Sequence, residues 1–215
     1  MYLPLYFNTE FMDCLVFGGG SIAFHKIQAL LEAGCKVVVI SPTISPDVAR
    51  LVDEGRIAYL RREYQYGDCM GNQLVIAATA DPVVDKQISD EARALGIPVN
   101  VVDVPRLCSV IFPAVERDEP LVVAVSTGGI APFMAAELRN KLRSVVAGWS
   151  RWVCIAGHFR EIVKQNVDKL SERNILYKKF VSAGEPPYDY QPPDSDDLDV
   201  WLNWLDSMPG RNGDD

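Results

Sequence analysis

Residues 13–34 read DCLVFGGGSIAFHKIQALLEAG, and the fold is decided here. A short apolar run, 13–17, leads into Gly18-Gly19-Gly20. From 21 to 33 the apolar residues Ile22, Ala23, Ile27, Leu30 and Leu31 recur on one helical face, and Gly34 stops the pattern. Gly18, Gly20 and Ala23 stand in Gly-x-Gly-x-x-Ala spacing between a strand and a helix. In that setting the first glycine permits a tight turn and the second lets the backbone approach a pyrophosphate. The small third residue lets the helix pack closely on the strand. The backbone N–H groups of Ser21 and Ile22, at the helix start, then face the phosphate charge. A plain glycine turn without a ligand is the simpler alternative.

Working outward, residues 36–40 (KVVVI) form a second apolar strand closed by Ser41-Pro42. A helix around 46–54, a strand near 57–60, a strand 74–78, a helix 83–95 and a strand 99–102 follow. Strands alternating with helices at this spacing predict a parallel sheet covered on both faces, a Rossmann-like α/β domain over residues 1–112. After Pro113 the pattern changes. A further apolar strand, 121–126, is broken by Thr127-Gly128-Gly129 before a helix from 132 to 146. This marks off residues 113–147 as a separate region. Residues 148–183 read as a basic, amphipathic helical domain. The stretch 184–194 is rich in proline and tyrosine and reads as a linker. In 198–208 (LDVWLNWLDSM), Leu198, Trp201, Leu202 and Leu205 share one helical face, so 184–215 reads as an acidic linker and tail.

The chain has 215 residues, 48% hydrophobic and 23% charged, which excludes disordered, collagen-like and coiled-coil classes. No apolar run approaches the roughly 18–20 residues of a membrane span. The N-terminal residues lack the pattern of a signal peptide. Five scattered cysteines without a CxxC pair argue for reduced thiols rather than a disulfide framework. A cytoplasmic protein with no membrane partner is expected. Residues 185–215 hold nine acids against one arginine, which accounts for the net charge of −8. Residues 137–182 hold ten bases against four acids, a net +6. Such a segment suits an anionic partner, or is simply a solvated helix face. The acidic total and the lack of interleaved aromatics weigh against nucleic acid. His25 and His158 are isolated from each other, and no cluster of ligands implies a resident metal.

Three further places carry chemistry. A dinucleotide fold commonly sets an acid after its second strand to hold the ribose hydroxyls. Here Ser41-Pro42-Thr43 stand instead, leaving hydroxyl or backbone contacts. Asn100-Val101-Val102-Asp103 ends a strand at the edge where open α/β sheets bind ligands. Asp103 there is open to three readings: a general base accepting a proton as hydride leaves, a ligand to an incoming metal ion, or a turn-capping residue before Val104-Pro105. Ser126-Thr127-Gly128-Gly129 makes either an anion site or the turn that begins a helix.

These stretches, together with YLPLYF (2–7), LVIAATADPVVD (74–85), GIPVNVVDVPRLCSVIFPA (96–114) and LVVAVSTGGIAPFMAAELRNKL (121–142), resemble in order the precorrin-2 dehydrogenase and sirohydrochlorin ferrochelatase family of sirohaem synthesis. The resemblance covers most of residues 1–145. It implies NAD-dependent oxidation of precorrin-2 to sirohydrochlorin, and in some members ferrous iron insertion to give sirohaem. Asp103 matches the functional aspartate of the family. Gly18, Gly20 and Ala23 match its pyrophosphate turn, and Thr79 and Asn100 fall at strand ends that face the cofactor. The family also lacks the acid after its second strand. It further implies a homodimer through about 107–147 and a small C-terminal helical domain. Since precorrin-2 bears eight carboxylates, the basic segment fits it, with Arg139, Lys141, Arg143 and Arg160 as candidate contacts beside Ser126, Thr127 and Gly128.

Asp85, Ala131 and the pair Ser109-Val110 depart from the family pattern, and a methyltransferase region is not expected within these residues. Nor do residues 185–215 match. Their charge allows them to lie over the basic segment and compete with substrate. Alternatively, Trp201, Leu202 and Leu205 dock on another enzyme of the pathway, or the tail is solvated. Two other functions stay open: an NAD-binding regulatory or sensor domain without catalysis, and a different NAD-dependent dehydrogenase.

Overall fold

Five apolar runs pair side by side in a computed structural model that describes residues 2–184 and 191–208. They are β1 (Asp13–Phe17), β2 (Lys36–Ile40), β3 (Ala58–Leu60), β4 (Leu74–Ala77) and β5 (Val99–Val101). All pair in parallel, in the order β3-β2-β1-β4-β5. A parallel sheet is buried on both faces, which is why these strands are continuous Val/Ile/Leu runs rather than alternating ones. Helices α1 (Ser21–Glu32) and α2 (Pro46–Asp53) supply the cover on one face through Ala23, Ile27, Leu30, Val48 and Leu51. Helix α3 (Pro82–Ala94) covers the other through Ile88 and Ala92.

The helix starts show how local chemistry sets these elements. Ser45 accepts from the Val48 N–H, Asp81 accepts from Val83 and Val84, and a proline opens each of α2 and α3. Helix α1 has no such cap, because Gly20 offers no side chain. A buried carboxylate ties a long loop to α3. Glu91 accepts from the Tyr64 hydroxyl at 2.6 Å and from the Cys69 N–H at 2.8 Å. Burial, reinforced by that negative charge, pushes the Cys69 thiol up to about 12.

The chain divides into two compact units, Met1–Phe112 with Thr127–Ala131, and Pro113–Ser126 with Pro132–Asp215. In the second, β6 (Ala114–Asp118) and β7 (Leu121–Val125) form an antiparallel hairpin. The sequence pattern predicts only the second of these strands. Helix α4 (Pro132–Val146) packs on the hairpin. The helical stretch over 149–183 is two helices, α5 (Trp149–Asn166) and α6 (Leu170–Ala183), interrupted at Val167–Lys169. No helix among the described residues is long and apolar enough to cross a membrane.

The acidic segment requires correction. Residues 198–206 form α7 (Leu198–Asp206), packed on α5 and α6 rather than solvated or held out for a partner. Trp201 is fully buried, Leu205 nearly so, and Leu202 is partly covered. The Trp201 indole donates to the Ser195 carbonyl at 2.7 Å and lies against Phe159. Trp152 stacks on Phe180 with ring centroids 4.4 Å apart. The apolar face legible in the sequence therefore finds its cover within its own chain, so it is not available to dock on another enzyme. Charge contributes one surface pair, Lys179 to Asp206 at 2.8 Å, worth little by comparison. The expected linker lies largely outside the described residues, as does the end of the tail. Replacing Trp201 by alanine is expected to destabilise the protein by about 3–5 kcal/mol, measured by urea unfolding.

Candidate functional site

Parallel pairing puts the carboxyl ends of all five strands along one edge, and the candidate residues of the first unit occupy it. The turn after β1 passes very close to the end of β4. At Gly18, where φ is +109°, an added Cβ would lie 2.1 Å from the Ala78 carbonyl oxygen. The middle glycine matters as well: a Cβ on Gly19 would lie 2.5 Å from the Thr43 oxygen, and its own carbonyl accepts from the Ser45 N–H at 2.7 Å. The motif spacing treats position 19 as free, and only the folded loop after β2 shows why it is not. At Gly20, by contrast, a Cβ would meet nothing within 4 Å. The start of α1 is thus uncapped by any side chain and has open space beside its second glycine. That is the cradle a pyrophosphate needs, with Ser21 and Ile22 exposed beside it and Ala23 buried against the sheet.

Several nominated polar groups turn out to hold backbone. The Ser41 hydroxyl donates to the Thr43 carbonyl at 2.6 Å, shaping the loop that carries Pro42. Asp85, one of the departures noted above, is buried and receives both the Thr79 hydroxyl, at 2.7 Å, and the Thr79 N–H. It fixes the end of β4. The Asn100 amide donates to the Val110 carbonyl at 3.0 Å, while the Cys108 sulfur accepts from the Val101 N–H at 3.2 Å. Together they clamp the 108–110 turn against β5.

Asp103 is placed differently. It sits just beyond β5 in the left-handed region, φ +58°, and is exposed. The Val104 N–H donates back to the Val101 carbonyl, so Asp103 occupies the corner of a tight turn. A non-glycine residue at positive φ is uncommon, and aspartate is among the few that tolerate it. Sequence reasoning passed over Lys26 on α1. It is half-buried, with its ammonium 4.4 Å from the centroid of the Phe112 ring. Burial lowers the Lys26 pKa, while the negative charge of Asp103 opposes that shift. A lysine on an amphipathic helix reads as solvated, so nothing in the periodicity marks it.

The remaining candidates are placed as follows. The Thr127 hydroxyl accepts from the Ala131 N–H at 3.1 Å and its carbonyl from Ile130, while Gly128 takes positive φ, so the segment turns into α4. Ser126 directly follows β7. In the second unit, Arg143 makes a bidentate pair with Glu116 at 2.8 and 3.0 Å, and Arg139 reaches the same carboxylate at 3.9 Å. Lys141 is exposed and pairs with Glu137; Arg160 is exposed and pairs with Glu161. His158 lies against the Trp201 ring.

Comparisons with known proteins follow the same outline. Residues 5–114 match a family model described as "Putative NAD(P)-binding". The chain is 42% identical over 177 residues to a siroheme synthase of Methylobacillus flagellatus, covering 82% of this chain and 38% of that one. It is 42% identical over 194 residues to a siroheme synthase of Pseudomonas paraeruginosa, covering 86% and 42%. The chain therefore spans about two fifths of the length of these curated relatives. Among solved structures it is similar to SirC, a precorrin-2 dehydrogenase, with a TM-score of 0.69 over 84% of this chain and 89% of that one. At 21% identity this likeness is one of fold.

Two tests address the local physics. Gly18→Ala is expected to destabilise the fold by about 2 kcal/mol or more through steric clash and backbone strain, whereas Gly20→Ala leaves the thermal midpoint close to wild type. Hydrogen bonding from Arg143 holds the Glu116 carboxyl below the usual carboxylate range. Its folded-state pKa is thus below that of the unfolded chain. The stability it contributes is present above the ordinary glutamate value of about 4.3 and is lost as pH falls through the depressed one. The stability gap between wild type and Glu116→Gln should therefore shrink on acidification, as read by denaturant titrations at several pH values.

Proposed function

The chain belongs to the NAD(P)-binding family whose model spans residues 5–114, and from that premise we propose that it oxidises precorrin-2 to sirohydrochlorin with NAD. The observation that carries this reading is the single edge of the parallel sheet, where the open glycine turn, Thr79 and Asp103 all end. The siroheme synthase relatives, similar over 82% and 86% of this chain, supply the substrate class.

The residues present fit the cofactor. The N–H groups of Gly20, Ser21 and Ile22 would hold the pyrophosphate at the uncapped start of α1. The Ser41-Pro42 turn would border the ribose through backbone and hydroxyl atoms, and Thr79 and Asn100 would line the strand ends further along. When bound, NAD supplies a two-electron acceptor for hydride. Oxidation of precorrin-2 removes a hydride and a proton, and the Asp103 carboxylate accepts that proton as a general base. Its place at the corner of a tight turn keeps the carboxylate at the solvent-open end of β5 rather than tied into the sheet. Lys141 and Arg160, each in an exposed surface ion pair, are the cations proposed for substrate carboxylates, beside Arg139 and Arg143, which share Glu116.

The same reading includes a homodimer through residues 113–147. The strands of the hairpin carry no fully buried residue, and α4 buries only Ala135. Phe133, Met134, Leu138 and Val145 are left exposed on α4. A hairpin and one helix with so little covered surface are stabilised by a second copy laid against them.

Anaerobic turnover of precorrin-2 with NAD, followed by absorbance, tests the catalytic claim. Asp103→Asn, which tolerates the same backbone conformation, is expected to lower kcat/KM by at least about 100-fold with NAD affinity retained. A variant as active as wild type would overturn the assignment. Leu138→Glu should shift the sedimentation coefficient from dimer towards monomer.

A further inference from the structure

Strand β5 ends the parallel sheet, and among the described residues a strand pairs with it on one side only. The chain folds back after Leu107 and covers the other side with residues 108–110. The N–H groups of Ser109 and Val110 both donate to the Val99 carbonyl, and the Ser109 hydroxyl accepts from the Val99 N–H at 2.8 Å. Further along the strand, the Val101 N–H donates to the Cys108 sulfur at 3.2 Å, and the Asn100 amide approaches the same sulfur at 3.7 Å. The thiol itself donates towards the Val101 carbonyl at 3.1 Å and the Val104 carbonyl at 3.5 Å. Val101 and Val104 are the first and last residues of the turn that has Asp103 at its corner. That turn is closed by the Val104 N–H donating to the Val101 carbonyl at 3.3 Å. Cys108 therefore holds both ends of the turn that carries Asp103.

Such a turn needs holding. Position 103 is its third residue, where a positive φ is ordinarily left to glycine or asparagine. A strained backbone conformation persists only where the surroundings over-determine it. The closing bond of the turn is long for an N–H···O contact, so the thiol supplies a second tie. The tie has a fixed base: the Leu107 carbonyl accepts from the buried Ser89 hydroxyl of α3 at 2.7 Å. Other cysteines of this unit behave differently. Cys14, Cys35 and Cys69 lie inside the two core clusters, where a thiol serves as a small apolar group. Cys108 lies at the margin of its cluster and directs its sulfur at backbone.

The geometry points to Cys108 as a positioning residue that acts through Asp103, its thiol fixing both ends of the turn so that the carboxylate is presented at one place beyond the end of β5. This rests on the reading of Asp103 as general base given above. A base must stand within hydrogen-bond reach of the proton it takes, and a misplacement of about 1 Å costs on the order of 100-fold in rate. The thiol makes and breaks no covalent bond in the reaction.

The test is a double-mutant cycle on anaerobic turnover of precorrin-2 with NAD, using Cys108→Ala, Cys108→Ser, Asp103→Asn and the combined Cys108→Ala, Asp103→Asn protein. Cys108→Ala is expected to lower kcat about tenfold and to leave both KM values within about twofold of wild type. Cys108→Ser, which keeps a donor and an acceptor at this place, should recover kcat to within about threefold. Adding Cys108→Ala to Asp103→Asn should cost nothing further, since the two act as a unit. A tenfold loss in both backgrounds would overturn the assignment, because the thiol would then act elsewhere than through Asp103. If Asp103→Asn is impaired but Cys108→Ala is as active as wild type, the Cys108 assignment falls and the reading of Asp103 survives. If Asp103→Asn is fully active, both fall. A second measurement needs no turnover: the 15N order parameter of the Asp103 amide. It should stay near the rigid value of about 0.85 in wild type and Cys108→Ser, and drop towards about 0.6 in Cys108→Ala. An Asp103 amide equally rigid in Cys108→Ala would count against the proposal. Should Cys108→Ala fail to fold, Cys108→Ser decides: a tenfold loss of kcat with the Asp103 amide still rigid would overturn the assignment.

Discussion

A Cβ at position 18 would lie 2.1 Å from the carbonyl oxygen of Ala78, closer than any side chain tolerates. The close passage of the β1 turn beneath the end of β4 therefore depends on glycine, both for space and for a φ of +109°. The passage is what starts α1 directly at the strand edge. Because β1 is central in a parallel sheet, it also brings that helix start to the same edge as the turns after β2, β4 and β5. Gly19 extends the constraint to the other side, against Thr43 and Ile44. Two adjacent glycines thus let three loops meet, and the third leaves room for a ligand.

The polar residues around this edge divide by what they hold. Ser41, Thr79 and Asn100 spend hydrogen bonds on the loops that carry them, and buried Asp85 serves Thr79. These bonds are in partly buried surroundings, where an unmade one costs about 1–3 kcal/mol, so they stiffen the rim. Asp103 and Lys26 have no such duties to backbone. One is exposed at strained φ and the other is half-buried over a ring. The result is a rigid rim that carries two charges less committed to the backbone.

The strands of the first unit were legible because burial on both faces requires unbroken apolar runs, and β1, β2 and β4 have them. The glycine turn and Asp103 were legible from spacing and from the strand end. What stayed hidden depends on contacts distant in sequence. The β6 strand, AVERD, carries charge within a half-exposed hairpin, so neither period marks it. Glu116 draws in Arg143 and Arg139 from a helix more than twenty residues away, ion pairs that the spacing does not show. The apolar face of α7 was visible, but its cover on α5 and α6 was not. Lys26 looked like any solvated helix lysine until the fold set Phe112 beneath it.

The central claim is that one sheet edge holds both the dinucleotide and the base, and a crystal structure of the chain with NAD tests it most directly. The account predicts pyrophosphate oxygens within hydrogen-bonding distance of the N–H groups of Gly20, Ser21 and Ile22. It also predicts that the nicotinamide ring lies beside Asp103, with the fold otherwise unchanged. A cofactor seated away from the glycine turn, or a nicotinamide ring remote from Asp103, would contradict it.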